Sequence, residues 1–173
     1  MKFNLAKYII PSVISMVLIG TYTTIDGLFI GDASGDAGLA AVNFAWPIVA
    51  FITSVGTGIG VGGAIVINHL RGKEEIAAAE TAKCAALKLL VIAGVVVTML
   101  TILTYSPLLI VMGAKVETLV YAQEYSRVIS FGALFQIMGS GLLVLLRNEG
   151  KTVRAMLYTV VGLAVHIALD ALL

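Results

Sequence analysis

The chain has 173 residues, with 11 basic and 10 acidic side chains that give a formal net charge of +1. Sixty per cent of the residues are hydrophobic, 12% are charged, and the mean hydropathy is +1.04, which excludes a soluble domain of this size and indicates an integral membrane protein. No basic tract accompanies the near-neutral charge, so we expect the lipid bilayer and no nucleic acid as a partner.

Five long apolar segments follow one another along the chain. They cover about residues 8–30, 39–70, 85–105, 128–146 and 153–173. A helix rises about 1.5 Å per residue and the hydrocarbon core is about 30 Å thick, so about 20 apolar residues suffice to cross it. The segments therefore predict an all-α integral membrane protein with five transmembrane helices.

Polar and helix-breaking residues divide these segments. The glycine-rich stretch 31–38 predicts a turn, and Pro47 should kink the second helix. Pro107 should end the third helix, because proline lacks the backbone N–H that the helix needs. The charged stretch 71–83 is rich in alanine and glutamate, so it should lead as helix into the third crossing.

Basic residues are distributed unevenly between the two predicted membrane faces. Nine of the eleven lie on the side of the N-terminus, namely Lys2, Lys7, Arg71, Lys73, Lys83, Lys88, Arg147, Lys151 and Arg154. The other two, Lys115 and Arg127, lie on the opposite side. Because the face that is richer in Lys and Arg is cytoplasmic, the N-terminus is predicted to be inside the cell.

Glycine is concentrated in the second apolar segment. Gly56 and Gly60 are four residues apart, as are Gly58 and Gly62, and Gly63 follows directly. This spacing lets helix backbones approach closely in a membrane. The same run fits a dinucleotide-binding pattern, but no strand precedes it. We therefore predict that all five glycines pack helices together.

Asp26 lies near the end of the first apolar segment. A charge at the bilayer centre costs about 2.5–3.5 kcal/mol on the insertion scale, so such residues usually face a protein interior or a water-filled path. Tyr22 and Thr23 precede it by one helical turn and can share its face. The alternative is a solvated carboxylate in the outer interface, and the spacing alone fits both hypotheses.

Further polar side chains inside the predicted crossings are candidates to line a cavity. They are Asn43, Gln136, His166 and Asp170, in addition to Tyr22 and Thr23. His166 and Asp170 are four residues apart, which suits either a structural hydrogen bond or a shared cavity face. The two histidines lie at opposite membrane faces, so no metal site is predicted. No set of nucleophile and base suggests an enzyme.

Six short stretches along the chain carry a family pattern. They are residues 25–31, 39–48, 62–63 with 72–77, 111–114 with 125, 146–151, and 169–170. In this order and spacing they resemble the N-terminal part of a multidrug and toxic compound extrusion (MATE) transporter, in the bacterial branch of that family.

The resemblance implies an antiporter of two six-helix lobes that expels cationic or amphipathic drugs in exchange for H⁺ or Na⁺, without a cofactor. The chain would be a fragment of such a transporter, an incomplete N-terminal lobe without its C-terminal lobe. The transporter would lie in the bacterial cell membrane. By the same resemblance, Asp26 and Asp170 correspond to acidic residues that couple the cation. The chain departs from the family at His166, where asparagine is usual. It also departs in the stretch 143–146, which is wholly apolar where the family commonly has an asparagine near the end of the fourth helix.

Two other hypotheses remain open from the sequence. One is a flippase for lipid-linked precursors from the same superfamily, which should line its cavity with basic groups. The predicted crossings hold almost none, Lys88 being the nearest. The other is a non-transporting membrane protein that serves as a small helical partner for another subunit.

Overall fold

Four α-helices make up the part of the chain that the computed structural model describes, residues 6–170 without the side chains of Lys7, Tyr22 and Asp170. They are α1 (Ala6–Gly72), α2 (Ile76–Val111), α3 (Val116–Asn148) and α4 (Thr152–Asp170). Each is long and apolar enough to cross a bilayer. The predicted all-α architecture is therefore confirmed.

One residue, Gly35, interrupts α1. Its backbone has φ 58° and ψ −154°, whereas the residues on either side are helical. This combination is essentially restricted to glycine, because a Cβ would clash with the backbone. In a straight helix Gly31 and Leu39 would be about 12 Å apart along the axis. A Cβ on Gly31 would instead lie 3.4 Å from Leu39 Cδ1, so the axis bends between them.

The predicted turn at 31–38 is thus reduced to one non-helical residue within a longer helix. The two parts of α1, residues 6–34 and 36–72, are each longer than the about 20 residues that one crossing requires. Four helices therefore contain the five apolar segments. The number of membrane crossings stays a prediction.

Two prolines lie inside helices, and the kink expected at Pro47 stays a prediction. Pro47 keeps helical dihedral angles, and α2 continues through Pro107 to Val111. The expectation that Pro107 ends this helix is wrong. Leu109, two residues later, is fully buried, and Ser106 accepts a hydrogen bond from Gln123. Packing and this bond offset the backbone hydrogen bond that the proline removes.

The chain forms two compact units. One is Ala40–Leu145, and the other comprises the residues up to Leu39 together with those from Leu146 onward. In the first unit, buried residues recur every three or four positions and so form one stripe on each helix. The stripe of α2 includes Ala86, Leu90, Gly94, Val97 and Thr101, and that of α3 includes Ser126, Ser130, Ala133, Ile137 and Gly141.

Candidate functional site

Asp26 lies in the first part of α1 and is half-buried. One turn earlier, the hydroxyls of Thr23 and Thr24 donate to the carbonyl oxygen of Gly20 at 2.8 Å and 3.2 Å. The Thr23 hydroxyl is therefore bonded to the backbone of its own helix. The Tyr22 side chain lies outside the described residues, so its predicted position beside Asp26 stays a prediction.

A shallow, wide-open cleft of about 670 Å³ lies at the bend of α1. Its lining consists of Ile25, Gly27, Leu28, Phe29, Gly31, Asp32 and Leu39. Asp32 is the acidic member of this lining and is exposed. An apolar lining with one carboxylate can contact an apolar group and pair with a positive charge at the same time.

Asp32 is not among the candidates from the sequence, because it belongs to the stretch 31–38, for which a turn is predicted. Its place in the cleft depends on the break at Gly35, which brings Leu39 back towards Gly31. A carboxylate that shortly precedes a glycine in a glycine-rich stretch was the one signal available. That signal also fits an ordinary solvated turn.

Gln136 makes a hydrogen bond between two helices. Its Nε2 donates to Thr53 Oγ1 at 3.0 Å, and the Thr53 hydroxyl donates in turn to the Val49 carbonyl oxygen at 2.9 Å. These two hydrogen bonds join α3 to the second part of α1 inside one compact unit. Thr53 was not singled out in the sequence, because an isolated threonine on an apolar helix has no pattern that identifies its partner.

The other candidates fall into both units. His166 is half-buried on α4, in the unit that also contains Asp26, whereas Asn43 is exposed and belongs to the unit that contains Gln136. The Asp170 side chain lies outside the described residues, so its relation to His166 and to Asp26 stays a prediction. Within residues 6–170, no three His, Cys, Asp or Glu side chains that the structure describes are grouped to hold a metal ion.

The five glycines of α1 differ in their surroundings. A Cβ on Gly56 would collide with Ser140 and lie 2.5 Å from the Ile137 carbonyl oxygen, and one on Gly60 would lie 2.8 Å from the Gly141 carbonyl oxygen. A Cβ on Gly63 would lie 2.9 Å from Ala86 Cβ. Gly58 and Gly62 have nothing within 4 Å of the same position. Three glycines thus allow close approach to α2 or α3, and two face open space.

Comparison with known proteins relates this arrangement to a family. Residues 11–172 match the MatE family model. The multidrug export protein MepA of Staphylococcus saprophyticus is 25% identical over 170 residues, which is 98% of this chain and 38% of MepA. MepA of Staphylococcus aureus is 22% identical over 95% of this chain and 36% of its own length.

Solved structures agree with the sequence relatives. An outward-facing multidrug resistance MATE transporter of the MOP superfamily superposes with a TM-score of 0.88 at 32% identity, over 95% of this chain and 36% of that one. A MATE protein in complex with MaD3S superposes with a TM-score of 0.87 at 32% identity, over 95% and 37%. The chain thus spans less than two-fifths of the relatives it matches. On the match over residues 11–172, the chain belongs to the MatE family, whose relatives in these comparisons are MATE transporters.

Proposed function

We propose that this chain forms part of a secondary antiporter that exports cationic or amphipathic compounds in exchange for H⁺ or Na⁺. The observation that carries the proposal is a half-buried carboxylate, Asp26, inside an apolar helix of a MatE-family chain. Ionisable residues in such helices commonly mark ion or substrate paths. The relatives named as multidrug export proteins support the direction of transport and a role other than that of an enzyme.

The exchange follows from competition for a carboxylate. Apolar surroundings favour the neutral form of a carboxyl group, which is reached by binding a proton or by pairing with another cation. A proton or Na⁺ and a cationic drug would then compete for Asp26, with Asp170 as a second coupling residue. Because each occupant displaces the other, a gradient of the ion drives the drug outward. The gradient supplies the energy, and the mechanism uses no cofactor.

The cleft at the bend of α1 is the proposed entry to this site. Its apolar lining accommodates the hydrophobic part of a substrate, and Asp32 meets the charge. Tyr22, Thr23, Asn43 and His166 remain candidates to line the cavity. Gln136 has a structural part in this proposal, because its amide already bonds to Thr53.

The complete transporter in this proposal has a second lobe. The chain covers 36–38% of its relatives, which fits five crossings of a six-helix N-terminal lobe with a cytoplasmic N-terminus. Alternating access would come from rocking of the two lobes around the shared site. Its location would be the bacterial cell membrane, as the staphylococcal relatives suggest.

The test is Asp26→Asn in a two-lobed transporter that contains this sequence, reconstituted in liposomes with an ion gradient. We expect gradient-driven transport of a cationic dye to fall to the level of empty liposomes, because asparagine can neither bind a proton nor balance a cation. Asp36→Asn is the matched control, since Asp36 is exposed and lies just beyond Gly35. Wild-type exchange by Asp26→Asn, or equal loss in the control, would refute the role of Asp26.

A further inference from the structure

Two contacts define how α2 and α3 lie against each other. Gln123 Nε2 on α3 donates to Ser106 Oγ on α2 at 2.8 Å. A Cβ on Gly94 of α2 would lie 3.3 Å from Leu134 Cα of α3. From the Gly94–Leu134 contact to the Ser106–Gln123 contact, the residue numbers rise along α2 and fall along α3. The two helices therefore run antiparallel and stay adjacent for about three turns.

Polar residues occupy the interface between these two contacts. Thr98 follows Gly94 by four residues, and Ser130 precedes Leu134 by four, so each lies one turn along the face that meets the other helix. Ser126 lies a further turn along the same face of α3. The antiparallel register therefore places Thr98 opposite Ser130, with Ser126 one turn further along the buried stripe of α3.

These three hydroxyls are buried without partners. Ser126 is 1% exposed and Ser130 is 0% exposed. The oxygens of Thr98, Ser126 and Ser130 are all inaccessible, and none has a hydrogen-bond partner among the residues that the structure describes. Thr101 behaves differently on the same stripe, because its buried hydroxyl donates to the Val97 carbonyl oxygen at 2.8 Å. Burial within this unit alone therefore does not leave a hydroxyl unpaired.

We propose that the interface of α2 and α3 is a binding site for internal water, which bridges the hydroxyls of Thr98, Ser126 and Ser130. Buried polar groups in proteins are almost always satisfied by protein or by bound water, and a buried water typically makes two to four hydrogen bonds. One helical turn separates Ser126 from Ser130 by about 6 Å along the axis, which is more than two hydrogen bonds of about 2.8 Å can span through one water. One water therefore bridges Thr98 and Ser130, and a second continues the bridge to Ser126.

The chemistry of the site selects a neutral ligand. All three groups are hydroxyls, which can each donate and accept. Neither residues 94–106 of α2 nor residues 125–134 of α3 include an acidic side chain. A Na⁺ or K⁺ ion would therefore lack a compensating charge in an apolar interior, whereas water requires none. The site thus fastens the two helices through hydrogen bonds that they do not make directly.

A high-resolution crystal structure of the full chain in a lipidic phase tests the proposal. We expect a density peak at hydrogen-bond distance from at least two of the three hydroxyl oxygens. If the hydroxyls instead donate to carbonyl oxygens of their own helices and no peak is present, the proposal is wrong. Crystals grown with Rb⁺ provide the second arm. An anomalous peak at the site would show a cation and would equally overturn the assignment of water.

A mutant cycle tests the site in solution. The thermal midpoints of Thr98→Val, Ser130→Ala and the double variant are compared in detergent micelles. We expect a non-additive shift of the thermal midpoint, because removal of either hydroxyl already weakens the binding of the shared water. The matched cycle of Thr101→Val with Ser130→Ala should be additive, since the Thr101 hydroxyl is bonded to its own helix. Additivity in the first cycle, or equal coupling in both, would count against a shared water.

Discussion

The second part of α1 contains two kinds of glycine, which differ in whether a methyl group added at the Cα would find space. Gly56→Ala should lower the stability of the chain by about 1–3 kcal/mol, because the added carbon would overlap Ser140 and Ile137 at a packed interface. Gly58→Ala is the matched control. It places the same methyl group in open space, and alanine favours helix over glycine by up to about 1 kcal/mol.

Unfolding in mixed micelles, followed by circular dichroism, measures both variants. The expected order of stability is Gly58→Ala equal to or above wild type, with Gly56→Ala below both. Equal effects of the two substitutions would show that the predicted contact at Gly56 does not limit packing. The same reasoning extends to Gly60, which approaches Gly141, and to Gly62, which faces open space.

At the scale of an element, the break in α1 depends on Gly35. Gly35→Ala should cost about 1–3 kcal/mol, because its φ and ψ lie in a region that is essentially restricted to glycine. Gly20→Ala on the same helix is the control, since nothing lies within 4 Å of its added methyl group and its dihedral angles are helical. Thermal unfolding in micelles compares them. A Gly35→Ala variant as stable as Gly20→Ala would contradict the strained conformation.

The hydrogen bond from Gln136 to Thr53 should couple α3 to α1. In a cycle of Gln136→Leu and Thr53→Val we expect a coupling energy of about 0.6 kcal/mol and at most about 1.7 kcal/mol, as for other hydrogen bonds between membrane helices. Thr81→Val replaces Thr53→Val in the control cycle, because the Thr81 hydroxyl bonds to its own helix at Ala77. Denaturant unfolding measures both cycles. Zero coupling in the first cycle would show that this hydrogen bond does not contribute to the packing of the unit.

At the scale of the whole molecule, the distribution of basic residues predicts the orientation in the membrane. In a variant with Cys84→Ala, cysteines at Ser34 and Lys115 should react with an impermeant reagent added outside the cell. A cysteine at Lys73 should react only after permeabilisation, because basic flanks are retained in the cytoplasm. All three positions are exposed on the chain itself. Labelling of Lys73→Cys from outside would refute the predicted orientation.

The family and its helices could be predicted from the sequence because both depend on local features. Apolar segments of sufficient length predict membrane helices wherever they occur, and the stretch 25–31 carries its pattern without reference to other parts of the chain. Helix ends were less predictable. Pro107 lowers helix stability locally, but the burial of Leu109 and the bond at Ser106 decide that α2 continues.

What the sequence alone determined about this protein is its membrane character, its all-helical architecture and its resemblance to a family, since composition and spacing are enough for each. Only the tertiary structure decided which glycines pack, that Gln136 pairs with Thr53, and that Asp32 lines a cleft. The physical reason is that spacing along one helix determines which residues share a face, but not what that face meets. Contacts between residues 83 positions apart depend on how separate helices pack.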